Sequence, residues 1–297
     1  MEKTKLIYPK LLTDKPKTDI LLNRLNYILM KVLFIGATGL VGRHTVTALK
    51  DKFTIIPAAI NGGEVAGLPV QPIDICNWED IAAAIKNGTA DGEPFDAVVY
   101  CATANYRDID RSEEEGLRHY YENCIEVNAR GAYHVFEAAW RAGVPRVVHI
   151  GSMTAFLGHP LYDYIDADTR DRPNDLYAST KIFGENVGRS YAFREPDSKQ
   201  RMNVICLRLA QPTAANEPRT QSWIHSENSC GWAADMRDIA LAIECGLKTD
   251  VQYGVYPVVS AADKTFIDPN TYSELGYKPQ WKYDFVEGKG VEISKVP

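Results

Sequence analysis

The segment Gly36-Ala37-Thr38-Gly39-Leu40-Val41-Gly42 constrains this chain more than any other. It follows directly on the apolar run 31–35 and opens residues 40–50, where Leu40, Val41, Val46 and Leu49 recur at helical spacing. A buried strand that turns through three glycines into a helix is the setting in which a glycine-rich loop binds phosphate. Gly36 permits the tight turn, Gly39 lets the backbone approach a pyrophosphate, and Gly42 allows close helix–strand packing. The unpaired N–H groups and the positive dipole end at the helix start attract a dinucleotide's phosphates. The turn thus nominates Gly36, Thr38, Gly39, Leu40, Val41 and Gly42 as binding residues, against the plainer reading of an ordinary strand-to-helix turn.

Strand and helix patterns alternate from residue 31 onward. Apolar runs at 31–35, 53–58, 68–75, 95–101, 146–150 and 203–209 read as strands. Helical spacing at 40–50, at 78–85, in a stretch ending near 142 and at 175–193 separates them. Continuous apolar strands with helices between them predict an α/β fold whose parallel sheet is covered on both faces. Right-handed crossovers make it a doubly wound Rossmann sheet. After about residue 210 the pattern turns irregular, with a helical piece near 235–248 and a strand-like one at 252–259. The expected organisation is a peripheral extension (1–29), a Rossmann dinucleotide-binding domain (30–210) and a small substrate-binding lobe (211–297) interleaved with it. The extension is Lys-rich, broken by two prolines and without the apolar core of a signal peptide. A poorly ordered tail with some helix in 18–29, a segment packed on a neighbour, and translation from an upstream start codon are its alternative readings.

Composition removes several function classes. With 45% hydrophobic and 24% charged residues in 297, the chain builds an ordinary globular core. A net charge of −6 without a Lys/Arg-dense face offers nothing to a nucleic-acid backbone. No apolar run nears the roughly 20 residues that span a bilayer. The six cysteines are scattered with no C-x-x-C pair, which fits reduced, buried thiols in a cytoplasmic protein. The six histidines form no ligand spacing either, so no metal site is indicated.

Tyr177-Ala178-Ser179-Thr180-Lys181 places a phenol and an ammonium four residues apart on one face of an expected helix. A tyrosine ordinarily titrates near 10, too high for a base at neutral pH, and a neighbouring cation stabilises its phenolate. The pair gains meaning from its position. It comes one element after Ile150-Gly151-Ser152, where a strand-end serine can aim its hydroxyl at the same point. Ligands bind at such carboxyl ends of parallel strands. The expected roles are Tyr177 as acid/base, Lys181 as the charge that supports it and contacts a ribose, and Ser152 as orienter of a substrate hydroxyl.

The G-x-x-G-x-x-G spacing together with Ser152 and the Tyr177/Lys181 pair resembles the extended branch of the short-chain dehydrogenase/reductase family, the NAD-dependent epimerases and dehydratases. That resemblance implies a nicotinamide dinucleotide, with Asp74 and Ile75 at the adenine and Cys101 and Ala102 packed beside the cofactor. It also implies that Asn128 completes a proton relay and that Asn128, Tyr177 and Lys181 meet the cofactor. Local backbone packing is the other reading of Asn128. The second half is similar to bacterial uronate dehydrogenases in Arg172-Pro173-Asn174-Asp175-Leu176-Tyr177, Lys181-Ile182-Phe183-Gly184-Glu185-Asn186, Leu207-Arg208-Leu209, Glu217-Pro218-Arg219 and Leu275-Gly276-Tyr277-Lys278-Pro279. Those enzymes oxidise the anomeric carbon of a hexuronic acid with NAD, and related archaeal enzymes act on glucose 6-phosphate. The implied substrate contacts are Asn105, Ser152, Met153, Tyr177, Gln211 and Arg219, with the Arg219 guanidinium suited to a carboxylate or phosphate. A surface ion pair is the competing role for Arg219.

Met153 and Gln211 depart from that pattern, standing where uronate dehydrogenases carry Asn and Ser. The chain also adds a charged stretch, 107–122, expected over the site mouth either as a lid or as a solvated helix. The favoured function is an NAD(P)-dependent oxidoreductase that takes hydride from a sugar C1 or a related alcohol. A nucleotide-sugar epimerase or dehydratase with tightly held NAD, and a non-catalytic redox-sensing binding protein, are the alternatives. NAD is favoured and NADP stays open. The second strand runs into Ala58-Ala59-Ile60-Asn61-Gly62-Gly63 without the ribose-binding acid, while Arg43 and His44 follow the glycines. The expected partner is a small-molecule substrate, and helices at 112–142 and 175–193 are the faces through which a homodimer would form.

Overall fold

The computed structural model of the chain describes residues 30–88, 93–104, 109–160, 162–194, 200–215 and 219–297, with the backbone alone for 219 and 221. The expectations for the 1–29 extension and for Asn105 lie outside the described residues.

Strand β1 (Lys31–Ile35) sits mid-sheet, parallel to β2 (Thr54–Ala59) on one side and β5 (Ala97–Tyr100) on the other. Beyond β2 comes β4 (Leu68–Pro72), and β3 (Gly63–Val65) folds back antiparallel on its edge. Beyond β5 come β6 (Arg146–Ser152), β7 (Asn203–Leu209) and β10 (Tyr253–Val258), all parallel. The order is β10-β7-β6-β5-β1-β2-β4-β3. The chain therefore winds outward in both directions from the β1/β5 boundary, the place where such sheets leave a crevice.

Strand pleat explains the two-sided apolar run. Val32 and Phe34 point into one core with Val46 and Leu49 of α1 (Leu40–Leu49) and Ile239 and Ile243 of α8 (Met236–Lys248). Leu33 and Ile35 point the other way, into a core with Ile81 and Ile85 of α2 (Trp78–Asn87) and Val135 and Phe136 of α4 (Gly131–Arg141). Helix α5 (Leu176–Ala192) closes that second face beside α4.

Two elements differ from the sequence expectation. The third strand is shorter than 68–75 and forms a hairpin with β3, because Ala66 and Gly67 both take positive φ (54° and 82°) in the turn. The helix ending near 142 is interrupted: α3 (Glu114–Asn123) runs into a π-helical segment (Cys124–Arg130) before α4 begins. Side chains meet carbonyls of that segment, with the Tyr100 hydroxyl donating to Val127 O at 2.9 Å. After residue 210, α8 and β10 return to the central sheet. The remainder forms a second cluster: β8 (Gln211–Thr213) beside β9 (Ala233–Asp235), α6 (Arg219–Trp223), α7 (Glu227–Cys230), and β11 (Ala261–Ala262) beside the hairpin β12 (Trp281–Val286) and β13 (Gly290–Lys295). Tyr283 pins it, its hydroxyl donating to Asp235 Oδ2 and accepting from Thr213 Oγ1, both at 2.9 Å.

Candidate active site

A cavity of about 1390 Å³ runs along the carboxyl ends of the central strands. That exceeds the roughly 300–1,000 Å³ of a single small-molecule site and suits a dinucleotide plus a second ligand. One end is the glycine turn, whose Gly36, Thr38, Gly39, Leu40, Val41 and Gly42 all line it. Gly36 sits at φ +89°, and a Cβ there would lie 2.5 Å from Ala102 N at the end of β5. A Cβ on Gly42 would meet Gly36 O at 2.2 Å. These two glycines thus let α1 start directly against the sheet.

The start of α1 is left open. Helices α2, α5 and α8 begin on Asn77, Asp175 and Asp235, whose side chains accept first-turn N–H groups. Helix α1 begins on extended Gly39 with no side-chain cap and no acid in its first turn. Uncapped N–H groups at a positive dipole end, facing a cavity, fit a pyrophosphate. Asp74, Ile75, Cys101 and Ala102 line the same cavity, and Ile60 and Ala59 stand at the end of β2 where a ribose-binding acid would be. Arg43 and His44 do not line it.

At the other end Ser152, Met153, Tyr177, Lys181 and Gln211 meet. Asp175 Oδ1 accepts from Ala178 N at 2.7 Å, which fixes the first turn of α5 and therefore Tyr177. Lys181, one turn on, is only 3% exposed. Burial pushes its ammonium down to about 8, opposed by nearby acidic groups including Glu185. Ser152 Oγ accepts from both Thr154 N (3.2 Å) and Thr154 Oγ1 (2.9 Å). With both lone pairs engaged, its own O–H is left to donate.

Asn128 lies behind the cavity wall rather than on it. Its Oδ1 accepts from Ala104 N (2.9 Å) and Thr103 Oγ1 (3.1 Å), and its Nδ2 donates to Thr180 Oγ1 at 3.1 Å. The side chain ties the loop after β5 to α5. Arg219 opens α6, and its side chain lies outside the described residues. Sequence reasoning missed Thr154, Tyr162, Tyr120 and Arg111, which also line the cavity. Tyr162 carried no signal, since its positive φ of 68° is a conformation that no residue type announces. The charged stretch leaves Arg118 bridging Glu115 and Glu122 on an exposed face while Tyr120 faces inward.

An uncapped glycine cradle and a tyrosine–lysine–serine group in one crevice define a dinucleotide-dependent enzyme. The profile of the NAD dependent epimerase/dehydratase family matches residues 32–225, and the chain belongs to that family. It is 25% identical over 272 residues to the L-arabinose 1-dehydrogenase (NAD(P)(+)) of Haloferax volcanii, covering 84% of this chain and 96% of that enzyme. A uronate dehydrogenase of Agrobacterium fabrum is 35% identical over 163 residues, 54% of this chain and 56% of that one. The crystal structure of uronate dehydrogenase from Agrobacterium tumefaciens superposes with a TM-score of 0.66 at 22% identity over 85% of each chain, the same fold. No helix among the described residues is long and apolar enough to cross a membrane.

Proposed function

We propose that the protein is an NAD(P)-dependent sugar dehydrogenase acting at the C1 hydroxyl of an aldose, with sugar acids as the favoured class. The observation that carries this reading is the convergence of Ser152, Tyr177 and Lys181 on the cavity that the glycine turn opens. The turn and the Asp74, Ile75, Cys101 and Ala102 positions hold the cofactor, whose chemistry when bound is to accept a hydride. Ser152 Oγ donates to the substrate oxygen and orients it. Tyr177 Oη takes the hydroxyl proton, and the Lys181 charge beneath it stabilises the resulting phenolate. Gln211 and Met153 border the sugar. The segments 211–235 and 260–297 form the substrate-side lobe, and the reduced thiols suit the cytoplasm. Because Ile60 replaces an acid at the ribose, both NAD and NADP are accepted, with NAD preferred.

The test supplies purified protein with NAD or NADP and a panel of hexuronates, neutral aldoses and hexose phosphates, following nicotinamide absorbance. Reduction with a subset of sugars is expected. No reduction by any of them, with NAD co-purifying, would replace this reading with a nucleotide-sugar epimerase. We also propose a homodimer, because Ile125, Tyr133 and Phe183 expose large apolar side chains on the π-helical segment, α4 and α5. Sedimentation velocity at micromolar protein should show a dimer that Tyr133→Glu dissociates; a monomeric parent protein rejects it.

A further inference from the structure

We propose that Tyr120 is a positioning residue for the reaction, a buried ring that backs Tyr177 and fixes where its phenol oxygen lies. This rests on the dehydrogenase reading and gives the charged stretch a part in it.

The helical run that carries Tyr120 meets α5 through two side chains eight residues apart, Tyr120 and Asn128. From α3, the Tyr120 ring lies 6.4 Å from the Tyr177 ring and 20° from parallel, a stacked pair. From the π-helical segment, Asn128 Nδ2 donates to Thr180 Oγ1 at 3.1 Å. In an unbroken α-helix eight residues overshoot two turns by about 80°, which would swing one of these side chains away from α5. The i→i+5 turns of Cys124–Arg130 rotate less per residue and take up that overshoot. The π-helical segment thus brings Tyr120 and Asn128 onto one face. It is held in turn from the sheet side, where the Tyr100 hydroxyl donates to Val127 O at 2.9 Å and Cys76 Sγ to Glu126 O at 3.6 Å.

Packing makes Tyr120 a firm wall. It is 4% exposed and forms a small core with Ala104 and Cys124, against which Leu117, Val127 and Tyr177 pack. Its hydroxyl donates to the Cys124 sulfur, and burial, with Cys124 and Tyr177 beside it, keeps that hydroxyl protonated. The two ends of Tyr177 are therefore fixed by different neighbours. Asp175 sets its backbone at the start of α5, and Tyr120 sets the plane of its ring. Backbone placement alone would leave the side chain a choice of rotamers. Proton transfer needs the phenol oxygen within hydrogen-bond reach of the substrate hydroxyl, and a displacement of about 1 Å can cost about 10²-fold in rate.

The test compares Tyr120→Phe, which keeps the ring, with Tyr120→Met and Tyr120→Leu, which fill the space without a flat face. Turnover is measured on the full chain with the sugar that the parent protein reduces fastest, and is counted per NADH-binding site so that unfolded protein drops out. The Met and Leu variants are expected to lose about tenfold or more in kcat, with KM for the sugar and NADH affinity each within about twofold. Tyr120→Phe should stay within about threefold of the parent in kcat, since the stack survives. A lower Tm with kcat per site unchanged would leave Tyr120 a packing residue and overturn the proposal. A raised KM at constant kcat would make it a substrate contact instead, and a Phe variant as slow as the Met variant would also overturn it. A second readout needs no turnover: in protein labelled with ¹³C in its tyrosine rings, the signal missing from Tyr177→Phe identifies Tyr177. That signal should shift in the Met and Leu variants and stay near its parent position in Tyr120→Phe; an unmoved signal in all three rejects the hold on Tyr177. A parent protein that reduces NAD with no sugar overturns the dehydrogenase reading, whereas the ring signal judges Tyr120 in either case.

Discussion

Replacing Tyr177 by Phe is expected to lower kcat by about 10³-fold or more while changing NADH affinity by less than about threefold. General acid–base groups contribute on the order of 10²–10⁴ in rate. Tyr120 cannot substitute, because burial, with Cys124 and Tyr177 beside it, holds its hydroxyl well above the ordinary range. The substitution keeps the ring that stacks on Tyr120 and leaves the Asp175 cap and the glycine cradle untouched. Stopped assays and NADH titration separate the two effects; turnover within tenfold of the parent protein would reject the role proposed for Tyr177.

Lys181→Met gives the complementary result, since it should cut turnover and yet stabilise the cofactor-free protein. Unfolded lysine titrates near 10.5, whereas burial brings folded Lys181 down to about 8. Between those values the unfolded chain binds more protons, so this group's contribution to stability rises with pH across that window. Below about 8 the buried ammonium is a standing cost on the order of 3 kcal/mol, at about 1.4 kcal/mol per tenfold in proton affinity. At pH 7 the Met variant should therefore melt higher than the parent. A lower Tm would mean that the ammonium is held by more than the cavity and Glu185. A site residue that costs stability is what function, not packing, retains.

The cofactor half of this site is legible in the sequence because its chemistry is local. Three glycines between a two-sided apolar strand and a helix can do little else, and Gly36 and Gly42 meet backbone atoms in the structure. Ser152 and the Tyr177/Lys181 pair are legible by order along the chain. What stays hidden depends on pairing across distance. The helical piece near 235–248 and the strand at 252–259 are visible as patterns, but nothing local says that β10 pairs with β7 in the main sheet. Nor does local sequence place Tyr120 inward and Arg118 outward, since the π-helical segment after α3 resets the helical phase that spacing arguments assume. Asn128 shows the same limit. Its residue type allows both a relay and a clamp, and its amide partners, Ala104 and Thr180, lie too far along the chain for local sequence to announce.

Arg208→Met is expected to destabilise the fold by about 3–5 kcal/mol, the usual result of stranding one half of a buried ion pair. Arg208 on β7 is 6% exposed, with its guanidinium carbon 4.8 Å from the Phe156 ring centroid. It donates to Asp171 at 2.6 and 2.9 Å and to Glu185 at 2.6, 3.0 and 3.2 Å. Burial raises the Glu185 carboxyl, and Arg208 opposes that rise most directly. Without the guanidinium, Glu185 must stay charged in a buried setting or take up a proton, and Gly151 lets its carboxylate sit close against β6. A Cβ on Gly151 would lie 2.6 Å from Glu185 Oε1. Removing both charges should therefore cost less than removing one: Arg208→Met with Glu185→Leu should recover a large part of the loss. Urea unfolding at pH 7 of the parent, both single variants and the double closes the cycle, and additive losses would contradict the account. The consequence for activity follows from what the triad joins. Glu185 sits one turn beyond Lys181 on α5, and Arg208 pairs in register with Gly151, next to Ser152 on β6. A loosened triad lets the phenol and the serine hydroxyl drift apart, so folded Arg208→Met should lose kcat/KM while the cradle on α1 keeps its affinity for NADH.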